Sequence, residues 1–510
     1  MNTRDLFRSA AEWVAAHPIA DRSTRPAFVS HAGDPRQAPA PPATPRTSTR
    51  ALSAATVASV SRDIRAGRLT ASEALARCLE QIRALDPTLR AFVAVREAEA
   101  RADAERLDAE QRHGKLVGPL HGVPVSVKDV IDVAGMATTA SSRVTDGDAA
   151  REDACAVARL RAAGAVVVGK TETHEFALGV TTPQSRNPWD PTRIPGGSTG
   201  GSAIAIVTGM APGGLGTDTR ASIRVPAALS GVVGFKATFG LVPTHGVTTL
   251  SWSMDHCAPM GVTVEDAAML LDVIAGADPR DPNSVERPAA PYTDWVAASV
   301  AGLRIGVPRS GFEGADPDVA AAVERAIGGL RGAGALVESI DEPTSADLEM
   351  TNAAGMIVSR AEAAAYHGAW VTERADRYTD ETVSQLDEAR RVPAVVYLGA
   401  QRLRELFRAR MAALLRRYDA LALPTSLVVA PAVGDAEQFL LVLSRNCIPW
   451  SFIGFPAVSV PCGRSSAGLP IGLQLVAAPF HDGRLIALGT AVDALGLYDP
   501  TLPTGARRAR

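Results

Sequence analysis

The chain has 510 residues, of which 46% are hydrophobic and 21% are charged, and its formal net charge at pH 7 is −3. This composition is typical of a globular protein with a substantial core, built as two or three average domains or as one large α/β unit. The small net charge argues against a protein dedicated to nucleic acids or to membrane surfaces. We therefore expect neither among its partners.

The cysteine pattern indicates a reducing compartment. The five cysteines are an odd number and include no Cys-x-x-Cys pair, which disfavours a disulfide framework and a structural zinc site. No apolar run reaches the roughly 20 residues needed to span a bilayer, and the N-terminus lacks the apolar core of a signal peptide. We expect a cytoplasmic protein that binds no metal and needs no cofactor.

Residues 1–50 are predicted to form an extension outside the main domain. Residues 3–17 have the apolar spacing of a short amphipathic helix, whereas residues 18–50 are rich in Pro, Ser, Thr and Arg and have no periodicity. The latter composition is typical of a linker or a surface segment, with a role in docking a partner as the alternative. The main domain is predicted to cover residues 51–500, followed by a basic tail at 501–510.

A strand–helix–strand pattern begins near residue 122. The segment GVPVSVKDVIDV is β-rich, DACAVARLRAAG has helical spacing, and AVVVGK is a continuous apolar strand. This order predicts a βαβ unit, in which a helix joins two parallel strands. Strands and helices continue to alternate downstream, without an internal repeat. We therefore predict an α/β fold: a single large domain with a mixed β-sheet core covered by helices on both sides.

A glycine-rich stretch between residues 193 and 234 holds two serines in unusual surroundings. Ser198 lies within PGGSTGG, and Ser222 follows a Gly-Thr-Asp-Thr turn and precedes Ile-Arg-Val-Pro. Neighbouring glycines allow the backbone to adopt positive φ or to approach a ligand closely. The stretch lacks the lysine of a phosphate loop and the G-x-G-x-x-G spacing of a dinucleotide site, so we exclude both.

One interpretation makes Ser198 the nucleophile of an α/β-hydrolase-type esterase, because residues 196–200 match G-x-S-x-G. That motif requires an apolar strand before the serine, and Pro188, Pro191 and Pro195 disfavour a central strand here. It also requires a histidine base, and no later histidine lies in a motif that singles it out. The esterase is kept as an alternative.

Lys128 is a better candidate for the base than any histidine. It lies in a β-branched run that predicts a mostly buried strand, where lysine is seldom found without a partner or a purpose. Burial disfavours the ammonium form and lowers the pKa, so that the amine can act as a base near pH 7. Strand alternation directs Asp129 away from Lys128. If this segment is considered alone, the alternative is that Lys128 lies at the end of the strand and its amine reaches solvent.

Three separated motifs together resemble the amidase signature family of Ser-Ser-Lys amide hydrolases: PLHGVPVSVKD, GGSTGGSA and GTDTRASIRVPAALSGVVGFKAT. The likeness runs from about residue 52 to 495 and implies the same large α/β fold. It implies that Ser222 is the nucleophile that forms an acyl-enzyme, and that Ser198, after a cis peptide bond, passes a proton between Ser222 and Lys128, the base.

The resemblance also implies an oxyanion hole, the group of donors that stabilises the tetrahedral intermediate. Its donors would be the backbone N–H groups of Thr219, Arg220, Ala221 and Ser222. Asp218 and Arg224 match positions that flank the nucleophile, and we interpret both as supporting the loop. Thr199 stands where a second serine is frequent and retains a hydroxyl.

The chain departs from the commoner pattern at Arg220 and Ala221, where many relatives have two glycines. A loop that required positive φ at either position would be strained by these side chains. The Arg220 side chain also suggests a cation near the site that favours an anionic substrate, with an outward-pointing side chain as the alternative.

These observations predict an amidase that hydrolyses a linear small-molecule carboxamide. A second hypothesis is the glutaminase component of a tRNA-dependent amidotransferase complex, which resembles this family and passes ammonia to a partner protein. A third is an inactive binding relative, which the intact Lys128, Ser198 and Ser222 argue against. The expected partner is the small-molecule amide, and a homodimer is an open option for the assembly.

Overall fold

Eleven strands of the described chain form one mixed sheet. The computed structural model of the protein describes residues 3–16, 38–41, 55–288 and 290–502. The strands are β1 (Phe92–Val95), β2 (Pro124–Lys128), β3 (Val166–Thr171), β4 (Gly213–Thr217), β5 (Val233–Lys236), β6 (Cys257–Gly261), β7 (Arg304–Pro308), β8 (Leu336–Ile340), β9 (Ala420–Pro424), β10 (Ala457–Arg464) and β11 (Pro470–Val476).

Across the sheet the strand order is β1-β3-β2-β4-β6-β5-β10-β11-β9-β7-β8. β2 pairs in parallel with β3 and β4, and β7 pairs in parallel with β8 and β9. The other pairings are antiparallel. β2 and β4 therefore run side by side in the same direction, and their carboxyl ends lie at the same edge of the sheet.

The sheet is flanked by helices, as predicted. They are α1 (Thr3–Ala16), α2 (Val57–Arg65), α3 (Ala71–Leu89), α4 (Glu97–Arg112), α5 (Cys155–Ala162), α6 (Gly200–Val207), α7 (Arg224–Ser230), α8 (Val264–Ile274), α9 (Pro317–Gly332), α10 (Ser345–His367), α11 (Trp370–Glu373), α12 (Asp380–Ala389), α13 (Ala394–Leu414), α14 (Leu440–Ser444), α15 (Ile448–Phe452) and α16 (Asp482–Ala494).

The predicted βαβ unit is present as β2, α5 and β3, with the two strands parallel. All five residues of β2 and all six of β3 are buried, which explains why both strands read as continuous apolar runs rather than as alternating patterns. Within β2 the exceptions to that apolar character are Lys128 and Ser126. The sequence pattern therefore located the strand and, within it, the one buried charged side chain.

The sequence did not predict β4, because its sequence GGLGT is typical of a loop. In the structure β4 lies between β2 and β6. A Cβ at Gly214 would overlap the side chain and the carbonyl of Ser126 on β2, and a Cβ at Gly216 would overlap Thr199. The glycines thus allow β4 to approach its neighbours closely, which brings the end of β4 next to Lys128.

Helix α1 packs against α10, α12 and α13, with Ala10 and Val14 buried in the contact. The predicted linker at 18–50 lies outside the described residues except for 38–41, and so do residues 503–510 of the predicted tail.

Among the helices that the structure describes, none combines the length and the apolar character that crossing a membrane requires.

We predict that Gly214→Ala destabilises the protein, because the added methyl group would collide with Ser126 between two central strands. Overpacking of this kind typically costs about 1–3 kcal/mol of the free energy of unfolding. Gly328→Ala in α9 is the matched control, since its Cβ would meet no atom within 4 Å. Urea unfolding of both variants provides the measurement, and equal stability of the two would contradict the close approach.

Candidate active site

Lys128 ends β2 and its amine contacts two hydroxyl groups. Its Nζ donates hydrogen bonds to Ser198 Oγ at 2.7 Å and to Thr217 Oγ1 at 2.8 Å. Lys128 and Ser198 have no solvent exposure, and Thr217, at the end of β4, is buried as well. The parallel pairing of β2 and β4 is what places Lys128 and Thr217 side by side.

Burial lowers the pKa of Lys128 to about 7, although the negative charges of Asp218 and Asp255 act in the opposite direction. The two hydroxyl partners are neutral, so no carboxylate contact restores the ammonium form. The neighbouring Asp129 forms an ion pair with Lys170 at 2.9 Å, on the other side of the strand, as strand alternation predicted. Lys128 therefore has a substantial neutral fraction near neutral pH.

Ser198 lies on the loop that leads into α6, with no strand before it between residues 172 and 197. The peptide bond between Gly197 and Ser198 is cis, as the resemblance implied. A Cβ at Gly197 would overlap the backbone of Thr181, so the close packing of this loop requires glycine. The carbonyl of Ser198 accepts a hydrogen bond from the amide of His174 at 3.3 Å.

Ser222 lies on the loop between β4 and α7 and is 4% exposed. Its carbonyl accepts a hydrogen bond from the amide of Thr199 at 3.2 Å, which joins the loop of Ser222 to that of Ser198. The hydroxyl of Thr199 donates to the carbonyl of Thr217 at 3.2 Å. The structure thus brings Lys128, Ser198, Thr199 and Ser222 into one buried neighbourhood.

The backbone N–H groups of residues 219–222 donate to no acceptor in the described part of the chain. The carbonyl of Arg220 accepts hydrogen bonds from Arg224 Nη2 at 3.0 Å and Ser451 Oγ at 3.2 Å. The N–H of Ala221 belongs to the same planar peptide unit and points the opposite way. This loop therefore presents free donors close to Ser222, and neither Arg220 nor Ala221 has positive φ, so the two departures from glycine cause no strain there.

Asp218 and Arg224 form a fully buried ion pair at 2.9 Å. Burial alone would raise the pKa of Asp218, but the charge of Arg224 and its hydrogen bonds hold that pKa well below its usual value. The remaining N–H groups of Arg224 reach four acceptors outside the pair: the carbonyls of Arg220 and Cys447, Gln474 Oε1 and Ser451 Oγ. These contacts connect both residues to the loop of Ser222 and to two distant segments.

Asp255 supports the loop from a second direction. Its carboxylate accepts a hydrogen bond from Thr219 Oγ1 at 2.6 Å and from the amides of Leu250 and Ser251 at 2.9 and 3.0 Å. Burial raises the pKa of Asp255 to about 7. Within the described ranges no histidine side chain forms a hydrogen bond with Ser198 or Ser222, whereas the amine of Lys128 contacts Ser198 Oγ.

Several residues of the site were not predicted from the sequence. Thr217, the second partner of Lys128, stands in the quoted GTDT turn, where its position next to Asp218 was the available signal. Ser451 and Gln474 reach Arg224 from distant segments, for which no sequence pattern exists. Arg360 lines the pocket beside Ser222, and its only signal was a charge within the apolar helical run MIVSRAEAAAYH.

Comparisons with known proteins match most of the chain. A family model described as Amidase matches residues 73–486. The chain is 40% identical to an amidase of Pseudomonas putida, with 87% of this chain and 96% of that protein aligned. It is 39% identical to a glutamyl-tRNA(Gln) amidotransferase subunit of Chloroflexus aurantiacus, with 86% and 96% aligned.

Among solved structures, one described as a vestigial protein complex that reveals the origins of an s-triazine catabolic enzyme superposes with a TM-score of 0.83. It is 33% identical, and the alignment covers 88% of this chain and 100% of that one. The large mixed sheet with flanking helices is therefore shared with these relatives.

We predict that Asp218→Asn destabilises the protein by about 3–5 kcal/mol, because it leaves the buried guanidinium of Arg224 without a countercharge. Asp63→Asn is the control, since it breaks an exposed ion pair with Arg68 and should cost little. Urea unfolding of both variants gives the comparison. A similar small loss in both would show that the buried pair does not hold the loop.

Proposed function

The chain belongs to the amidase signature family, whose members act on C–N amide bonds, and from this premise we propose that it hydrolyses a small-molecule carboxamide through an acyl-enzyme on Ser222. The observation that carries the proposal is the 2.7 Å contact between the fully buried amine of Lys128 and Ser198 Oγ. A lysine with a pKa of about 7 is partly neutral at physiological pH and can take a proton from a hydroxyl.

In the proposed first step the Ser222 hydroxyl attacks the carbonyl carbon of the amide. Its proton passes to Ser198 Oγ, and the proton of Ser198 passes to Lys128 Nζ. A hydroxyl serves as this relay because it donates one hydrogen bond and accepts others. Thr217 keeps the lysine amine in place through the second hydrogen bond.

The carbonyl oxygen acquires negative charge in this step. The free N–H groups of residues 219–222 are the donors that would stabilise it, and oxyanion-hole donors are typically worth about 3–4 kcal/mol of activation free energy each. The bond between carbon and nitrogen then breaks, and the leaving amine takes a proton back through Ser198. Water attacks the resulting ester in the same manner, which releases the carboxylate and frees Ser222.

We expect Ser222→Ala, Ser198→Ala and Lys128→Ala each to lower kcat by at least about 1,000-fold. The three side chains act as one unit, so the loss of any one of them disables the other two. For the same reason the double variant Ser198→Ala/Ser222→Ala should be no worse than either single one. Ser61→Ala removes a buried hydroxyl bound to the carbonyl of Pro119 and is the matched control. Ammonia or amine release provides the measurement.

A serine-directed fluorophosphonate identifies the nucleophile independently of the substrate. We expect the label on Ser222, with loss of labelling in Ser222→Ala. A label that stays on Ser198 in that variant would support the esterase alternative instead.

We expect kcat/KM to rise with pH through about 7 and then to level off. The base must be neutral, and the neutral fraction of Lys128 grows as the pH rises through its pKa, so activity is lost on the acidic side. Burial also brings the pKa of Lys236 and of Asp255 to about 7. The pH profile of kcat/KM should therefore also be measured for Lys236→Met and Asp255→Asn. If the loss of activity at acidic pH disappears in one of these variants, the substituted residue and not Lys128 is the group that titrates.

The glutaminase component of an amidotransferase complex is the second candidate. The observation in its favour is the 39% identity to an amidotransferase subunit over 86% of the chain. A stand-alone amidase releases ammonia as a purified chain, whereas ammonia release from glutamine that depends on a co-purified partner protein would favour the amidotransferase. Assays of the purified chain on glutamine and on simple primary amides separate the two.

A further inference from the structure

The pocket beside Ser222 carries two arginine side chains and no acidic one. It is narrow, with a cavity volume of about 10 Å³, and is lined by residues 177–180, Thr219, Arg220, Ser222, Leu250 and Arg360. Arg220 comes from the loop of Ser222, and Arg360 comes from the buried side of α10. A molecule bound in this pocket therefore meets two guanidinium groups.

Arg220 lines the pocket and is half-buried, so its side chain does not extend freely into solvent, which was the alternative that the sequence left open. Its Nη1 is buried and has no hydrogen-bond partner among the described residues. Burial lowers the pKa of Arg220 to about 10, so the side chain still carries its charge at neutral pH. The residue as a whole is half-buried, but a buried polar nitrogen such as this Nη1 is normally paired with an acceptor.

Arg360 is 4% exposed, and its Nη2 donates to the carbonyl of Leu178 at 2.6 Å, which holds the guanidinium at the pocket wall. Its other N–H groups reach no acceptor within the described ranges. Burial and then the positive charge of Arg220 hold the pKa of Arg360 well below its usual value, while Glu381 acts in the opposite direction. Glu381 itself lies 3.5 Å from His174 and is 43% exposed.

Arg360 is buried and Arg220 is half-buried, and two like charges placed in this way without a carboxylate contact are costly, because each loses hydration and they repel each other. An anion between them would relieve both costs. We propose that Arg220 and Arg360 bind a carboxylate of the substrate, so that the enzyme acts on short amides that are also carboxylic acids. The planar guanidinium, with its fork of donors, matches the two oxygens of a carboxylate. This inference rests on the proposed hydrolysis at Ser222.

The closeness of Arg220 to Ser222 in the chain and the small size of the pocket favour a short substrate. Arg220 is two residues from Ser222, so their Cα atoms are no more than about 7 Å apart. The cavity beside Ser222 measures about 10 Å³, close to the space of one water molecule, so a long chain between the amide and the carboxylate has no room there. Monoamides of short dicarboxylic acids, such as succinamate and glutaramate, fit this description.

The charge of the pocket also separates two related substrates. Glutamine differs from glutaramate by an α-ammonium group, and none of the lining residues is acidic, so none balances that charge. The two arginines would repel it. We therefore expect the enzyme to prefer the purely anionic amide to the zwitterionic amino acid.

The first experiment measures ammonia release by the wild-type chain. Succinamate is compared with 4-methylpentanamide, in which an isopropyl group replaces the carboxylate, and glutaramate is compared with glutamine. We expect kcat/KM to be at least about 10-fold higher for the anionic member of each pair, mainly through KM. Equal or higher values for 4-methylpentanamide would overturn the proposal.

The second experiment follows the ratio of kcat/KM for succinamate to that for 4-methylpentanamide. Arg360→Gln should lower this ratio at least about 10-fold, and Arg360→Lys should lower it less, because the charge is kept. Arg159→Gln is the matched control, since Arg159 binds three backbone carbonyls elsewhere and should leave the ratio unchanged. An unchanged ratio in Arg360→Gln would contradict the assignment.

Calorimetric binding to the Ser222→Ala variant separates this inference from the proposed reaction. Succinamate should bind Ser222→Ala, and the additional Arg360→Gln substitution should weaken that binding at least about 10-fold. Such binding without ammonia release by the wild type from any amide would reject the hydrolysis and keep the carboxylate site. Equal binding of succinamate and 4-methylpentanamide would reject the carboxylate site, whatever the hydrolysis assay shows.

Discussion

A buried guanidinium holds the loop on which the candidate site depends. Arg224 is inaccessible to solvent, and its donors are bound by Asp218, by the carbonyl of Arg220 and by acceptors from two distant parts of the chain, residues 447–451 and Gln474. Because one of these acceptors is the carbonyl of Arg220, the ion pair also orients the peptide that follows it. The orientation of the free N–H groups beside Ser222 thus depends on how the charge of Arg224 is neutralised.

The same dry interior has opposite effects on two cations. Arg224 is bound by a carboxylate and stays charged, whereas Lys128 is bound by two neutral hydroxyls, so burial lowers its pKa. The difference lies in the partner and not in the degree of burial, since both side chains have no exposure. Environments that move the pKa values of neighbouring groups apart are a common means of preparing a base.

Much of the fold followed from the alternation of strands and helices, and the parts that were missed have a physical reason. β2, α5 and β3 were predicted because buried parallel strands leave continuous apolar runs. β4 was missed because its glycines serve close packing against neighbouring strands, a property of tertiary structure.

The candidate site was also predicted only in part. Lys128 was identified because it is a charged residue in an apolar strand. Its proximity to Ser198, 70 residues away in the chain, was predicted from the family resemblance alone. The orientation of Arg220 and the presence of Arg360 in the pocket depend on how α10 packs, which no local pattern encodes.

The two arginines of the pocket belong to different parts of the architecture. Arg220 shares a loop with Ser222, whereas Arg360 is carried by α10, a helix outside the sheet that packs against α1, α12 and α13. Substitutions on α10 can therefore alter what the pocket accepts while the strand ends that hold Lys128 and Thr217 stay in place. Under the proposed function, new substrates are acquired by changing single positions of α10, a largely buried helix, while the strands that carry Lys128 and Thr217 are inherited unchanged.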